Sequence, residues 1–145
     1  MTIPARISKC FRTEREKRMV DNRQILIIDD NEEVRQLFCD IIEILGYAPR
    51  PVGGGVAALQ QLKATHFDLV ILDMHMPDLN GLDTFKAIRQ FNSSVPVLVT
   101  TGFGMDKNVQ EALSMGALLC LEKPFNVNRA LKVIREIVEK ESPRK

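Results

Sequence analysis

The sequence predicts an α/β domain: a five-stranded parallel sheet, doubly wound, with helices on both faces. Three observations predict it. Short apolar, β-branched runs alternate with longer segments of helical period. The alternation repeats five times, which calls for parallel strands joined by helical crossovers. Several runs are apolar at every position rather than at alternate ones, as strands covered on both faces require. A chain of 145 residues, 45% of them apolar, has the size of one such domain.

Ile25-Leu26-Ile27-Ile28 reads as the first strand. Val34, Leu37, Phe38, Ile41 and Leu45 then recur at helical spacing, and Gly46 ends that helix. Ala48 to Val52 is a weak second strand whose two prolines suit a sheet edge. Gly53-Gly54-Gly55 is a turn; it lacks the spacing of a phosphate-cradling loop. Ala58, Leu59 and Leu62 mark a short helix. Leu69 to Leu72 is the third strand, ending at Asp73; Pro77 and Gly81 punctuate the loop behind it, and Leu82 to Phe91 is the next helix. Val95 to Thr100 is the fourth strand, with Pro96 near its start. Met105 to Met115 is a helix closed by Gly116, and Ala117 to Leu121 is the fifth strand. Asn126 to Lys140 is the last helix. Val127, Leu131, Ile134 and Val138 share one face of it, and Ala130, Val133 and Ile137 widen that face beyond what one core contact needs.

Composition narrows the function. No apolar run is long enough to span a bilayer, and the basic N-terminus has no apolar segment behind it, so a cytoplasmic protein with no membrane partner is expected. Cys10, Cys39 and Cys120 are odd in number and widely spaced, forming neither a disulfide framework nor a metal pair. His66 and His75 have no partner at ligand spacing. Residues 1–23 hold seven Lys/Arg against three Asp/Glu, +4; the chain totals +1, so the rest is −3. Residues 1–23 read as a basic, solvated arm, 24–140 as the domain and 141–145 as a tail. A nucleic-acid partner is not expected, since the domain itself is not basic.

In open parallel sheets, ligands bind beyond the carboxyl ends of the strands. Here the first strand ends in Asp29-Asp30, the third in Asp73, the fourth runs into Thr101-Gly102 and the fifth into Glu122-Lys123-Pro124. Taken singly, Asp29 and Asp30 suit helix caps, Asp73 a turn, Thr101 a strand and Lys123 a solvated surface. Taken together, three carboxylates at one sheet edge repel one another unless a cation relieves them. Mg²⁺ commonly takes one or two carboxylates and completes its shell with water and phosphate. With an ammonium at Lys123 and a hydroxyl at Thr101, the set fits a site where a carboxylate accepts a phosphoryl group.

Ile25-Leu26-Ile27-Ile28-Asp29-Asp30, Leu72-Asp73-Met74-His75-Met76-Pro77 with Gly81, Val97-Leu98-Val99-Thr100-Thr101-Gly102 and Lys123-Pro124-Phe125 resemble the receiver domain of bacterial response regulators. The resemblance covers residues 24 to 140 and includes the intervals of 28 residues from Asp73 to Thr101 and 50 from Asp73 to Lys123. It implies a flavodoxin-like (βα)5 fold with strand order 2-1-3-4-5. It implies that Asp73 accepts the phosphoryl group from a phosphohistidine of a sensor histidine kinase or phosphotransfer protein. Asp30 and Asp73 would bind Mg²⁺ directly with the backbone carbonyl of His75, and Asp29 through water. Lys123 would pair with the carboxylate and then with the phosphoryl group, toward which Thr101 swings. Such a protein catalyses its own phosphorylation and dephosphorylation but is not a metabolic enzyme. Receivers usually carry Tyr or Phe three residues before the lysine; this chain has Cys120 there, expected as a packed structural thiol.

Five further expectations follow. The Lys123–Pro124 peptide is cis. His75 and Phe103, both bulky, flank the line of attack of hydrolytic water and prolong the phosphorylated state. Signalling to an effector protein or a second copy runs through the last two helices and strand five, with Val133 and Ile137 at the centre. A haloacid dehalogenase-like phosphatase is disfavoured, because that group needs D-x-D and Asp29 is followed two later by Asn31. A pure interaction module is disfavoured by the intact set of Asp29, Asp30, Asp73, Thr101 and Lys123.

Overall fold

A computed structural model describes residues 23–141. Most of the basic arm, residues 1–22, and tail residues 142–145 lie outside the described residues. The strands are β1 (Gln24–Ile28), β2 (Ala48–Val52), β3 (Leu69–Asp73), β4 (Val97–Thr101) and β5 (Leu119–Glu122). The helices are α1 (Glu32–Ile44), α2 (Gly55–Ala64), α3 (Gly81–Phe91), α4 (Lys107–Ser114) and α5 (Val127–Glu141). All strand pairs are parallel and the order is β2-β1-β3-β4-β5, as the resemblance implies.

The continuous apolar runs are explained by two cores. Successive strand side chains point to opposite faces. Leu26, Ile28, Val70, Leu72, Val97 and Val99 pack with Ala58, Phe85, Ile88 and Val109 of α2, α3 and α4. Ile25, Ile27, Ile71, Leu98 and Leu121 pack with Phe38, Ile41, Ile42 of α1 and Ala130, Ile134, Val138 of α5. The β2 prolines sit at alternate positions. Ala48 N donates toward β1, to Arg23 O at 2.9 Å, so Pro49 and Pro51 fall where an N–H would face the free edge. Arg23, the last residue of the predicted arm, is itself buried.

Several boundaries differ from expectation. Asn31, not Asp29 or Asp30, caps α1: its side chain accepts from Val34 N at 3.1 Å. This leaves both aspartates for other work. Strand β4 starts after Pro96, at Val97, and includes Thr101. Helix α4 starts at Lys107 rather than Met105, because Asp106 is extended and caps it through Val109 N at 3.0 Å. Strand β5 is Leu119–Glu122 rather than Ala117 to Leu121. Gly55 is not turn but the first residue of α2. On α1, Leu37 is exposed and Ile42 takes a core position instead.

The proposed centre of the signalling face is corrected here. Ile137 is 8% exposed and belongs to the core under α5, and Val133 is half-buried against the same cluster. Most of the apolar arc of α5 faces the sheet and α1, while Val127 at its start stays exposed. Among the described residues, no helix is long and apolar enough to cross a membrane.

Candidate functional site

Four of the five strands deliver a polar residue to the carboxyl edge. Asp29 follows β1, Asp73 closes β3, Thr101 closes β4, and Lys123 follows β5. Asp29 and Asp73 are 2% and 4% exposed, whereas Asp30 is exposed. One oxygen from each of these three carboxylates lies within 4.8 Å of the others, so together they are able to hold a metal ion. An all-oxygen set of this kind suits a hard cation such as Mg²⁺.

Lys123 Nζ reaches into the carboxylates. It lies 2.8 Å from Asp29 Oδ2 and 3.4 Å from Asp73 Oδ2. The other oxygens are held locally: Asp29 Oδ1 accepts from Asn31 N at 2.9 Å and Asp73 Oδ1 from His75 N at 3.1 Å. Burial pushes the Asp73 carboxyl above its ordinary value; the His75 N–H opposes this, the Asp29 charge adds to it, and Lys123 opposes it. For Lys123, burial acts to lower its basicity but is outweighed by the hydrogen bond from its ammonium to Asp29 and the charge of Asp73, so it stays protonated more firmly than a free lysine. Lys123 N also donates to Thr101 O at 2.7 Å, which ties the two strand ends together. The Lys123–Pro124 peptide is cis, as expected. Phe125 stacks on Phe38 of α1 with centroids 4.9 Å apart, anchoring the loop that carries Lys123.

Thr101 is fully buried, and its Oγ1 accepts from Phe103 N at 3.0 Å. The hydroxyl is thus engaged within its own loop. Gly81 is required by close approach: a Cβ there would lie 2.2 Å from Met74 Cα, so α3 starts tight against the chain leaving Asp73.

His75 and Phe103 meet at the rim, their rings edge-on with centroids 4.5 Å apart. His75 Nε2 also lies 3.2 Å from Asp106 Oδ2, an ion pair when the ring is protonated; with the proton on Nδ1 alone, Nε2 makes no hydrogen bond. Sequence reading missed Asp106. Its signal was available as an N-cap residue, but nothing local says that its second oxygen faces His75. Two other residues were missed. Arg35 Nη1 donates to Asp29 O at 2.8 Å. Asp78 Oδ1 accepts from Gly55 N at 3.4 Å, across the start of α2 where Gly54 supplies no side chain. A Cβ at Gly54 would meet the exposed Asp78 carboxylate, which is free to move aside.

Cys120 is half-buried, and burial, then the charges of Glu122 and Asp106, pushes its thiol up to about 11. A thiol so poor in thiolate fits packing rather than redox chemistry.

A family model described as the response regulator receiver domain matches residues 25–135. The chain is 37% identical over 117 residues to the transcriptional regulatory protein CpxR homolog of Haemophilus influenzae, covering 81% of this chain and 51% of that protein. It is 32% identical over 124 residues to sporulation initiation phosphotransferase F of Bacillus subtilis, covering 86% of this chain and 97% of that one. It therefore spans about half the length of the first relative and nearly all of the second. The solved structure of Vibrio cholerae chemotaxis protein CheY4 matches with a TM-score of 0.75 at 28% identity, covering 81% of this chain and 99% of that one.

Proposed function

Because the chain belongs to the response regulator receiver domain family, we propose that Asp73 is the residue that accepts the phosphoryl group. The observation that carries this is the convergence of Lys123 Nζ on both Asp29 and Asp73 beside a three-carboxylate cluster. A buried carboxylate at a strand end, with an ammonium and a cation site at its side, is placed to receive a dianionic group.

The donor is a phosphohistidine of a sensor kinase or a phosphotransfer protein. An oxygen of Asp73 attacks phosphorus, the bond to the histidine nitrogen breaks, and that nitrogen keeps the electron pair. Asp30, Asp73 and the His75 carbonyl would hold Mg²⁺, with Asp29 acting through water; the ion supplies charge neutralisation for the phosphoryl oxygens. Lys123 turns from the carboxylates toward the new group. Thr101 exchanges its bond with Phe103 N for one to phosphoryl oxygen, and the loop from Phe103 to Asp106 follows. The domain signals by this change of shape in the cytoplasm, to an effector protein or a second copy, through α4, β5 and the exposed side of α5. It turns over its own phosphoryl group and no metabolite.

Acetyl phosphate with Mg²⁺, read by intact mass, tests the assignment. The parent gains one phosphoryl group and Asp73→Asn gains none. An undiminished gain in that variant overturns it.

A further inference from the structure

Thr100 lies beside the acceptor and is unused by the mechanism above. It is 1% exposed, and its Oγ1 has no hydrogen-bond partner. A buried hydroxyl without a partner carries an uncompensated desolvation penalty, so its position calls for an explanation. The only other buried side-chain atom of this kind among the described residues is His75 Nε2, which faces Asp106.

Sheet register says what Thr100 faces. Asp73 on β3 and Leu121 on β5 are its partners on the two flanking strands. Residues in register on neighbouring strands share a face and stand side by side. Leu121 cannot accept a hydrogen bond, whereas Asp73 can. Ile71 and Leu98, one step below on the same face, are core residues, so no other acceptor approaches from that side. Lys123, two residues beyond Leu121, returns over this row to reach Asp73 Oδ2 at 3.4 Å. In the unphosphorylated chain, then, His75 N and Lys123 Nζ serve the Asp73 oxygens, and Thr100 stands next to them unpaired.

We propose that Thr100 is a second hydroxyl of the acceptor site, whose Oγ1–H donates to the phosphorylated Asp73 side chain once Lys123 turns away to the phosphoryl group. The inference rests on Asp73 being the acceptor. It gives the β4 end two hydroxyls with separate tasks: Thr101 follows the phosphoryl oxygens, and Thr100 takes the acyl oxygen that the ammonium leaves.

The test uses the full chain and beryllofluoride with Mg²⁺ as the phosphoryl mimic, titrated by amide chemical shifts, alongside urea denaturation without the mimic. Thr100→Val keeps the shape and removes the hydroxyl; Thr100→Ser keeps the hydroxyl. Thr100→Val is expected to be at least as stable as the parent, yet to bind the mimic about tenfold more weakly. Thr100→Ser should bind within about twofold of the parent. Equal binding by Thr100→Val overturns the proposal, as does binding by Thr100→Ser as weak as that of Thr100→Val, which would assign the effect to the methyl. A Thr100→Val chain less stable than the parent also overturns it, since the hydroxyl would then have a partner already. Failure of the parent itself to bind the mimic and to gain mass from acetyl phosphate would instead remove the Asp73 assignment, and this inference with it.

Discussion

Lys123 Nζ sits closer to Asp29 Oδ2, at 2.8 Å, than to Asp73 Oδ2, at 3.4 Å. The lysine is therefore held chiefly by Asp29 and more loosely by Asp73. The longer contact, to Asp73, is the weaker of the two.

That arrangement sets a pH dependence for the metal-free protein. Lys123 is more basic when folded, so its contribution to stability is present below the ordinary lysine value and is lost as pH rises through the folded one. The Asp73 carboxyl is also raised, so its neutral form is the better accommodated, and stability falls as pH rises above the ordinary carboxylate range. Urea midpoints measured from pH 3 to 11 should show both losses. Lys123→Met should remove the alkaline one and enlarge the acidic one, because Asp73 then loses the ammonium that favours its charged form.

Asp30 is expected to matter more than Asp29 for Mg²⁺. Asp29 is committed to Lys123 and to Asn31 N, whereas Asp30 is exposed and adjacent to the same cluster. A partner acting through water typically contributes roughly 10–100-fold in affinity, and a direct ligand more. Calorimetric titration should place Asp30→Ala below Asp29→Ala; the reverse order would exchange their roles.

The phosphorylated state should be long-lived. Phe103, 74% exposed, meets His75 edge-on with ring centroids 4.5 Å apart, and the two rings are expected to flank the line of attack of water. Neither readily orients a water for in-line attack. His75→Asn and Phe103→Ala are each expected to speed decay of the phosphoprotein about tenfold, equivalent to roughly 1.4 kcal/mol of barrier. Unchanged decay in both would mean that the rings do not limit water.

Cys120 should be unreactive. With its thiol raised to about 11, it carries roughly 100-fold less thiolate at pH 8 than an ordinary cysteine of value 9.0. Iodoacetamide labelling of the native protein, mapped by peptide mass, should modify Cys120 only after denaturation.

Ile137 should behave as a core residue. Ile137→Ala is expected to cost about 2–5 kcal/mol in urea denaturation, as buried Ile→Ala changes do. Val133→Ala should cost less, since Val133 is only half-buried. Equal small losses would restore the α5 face as a free surface.

The order of elements was legible in the sequence because each strand is a short run buried on both faces and each helix has its own period. The strand-end residues Asp29, Asp30, Asp73, Thr101 and Lys123 were legible too, since parallel topology brings strand ends to one edge whatever the details. Helix faces were read less well. Ile137 and Leu37 have the same chemistry and suitable spacing, yet one is buried and the other exposed. Burial depends on what packs opposite, and α5 is enclosed by the sheet and α1 while α1 leaves Leu37 outside. Pairings across the chain were mostly not legible; Lys123 with Asp73 was expected only from the family resemblance. Lys123 with Asp29 spans 94 residues, and His75 with Asp106, Asp78 with Gly55 and Thr100 with Asp73 likewise join separate loops or strands. Local sequence says which groups each loop carries; only the sheet register and the approach of loops over its edge decide which of them meet.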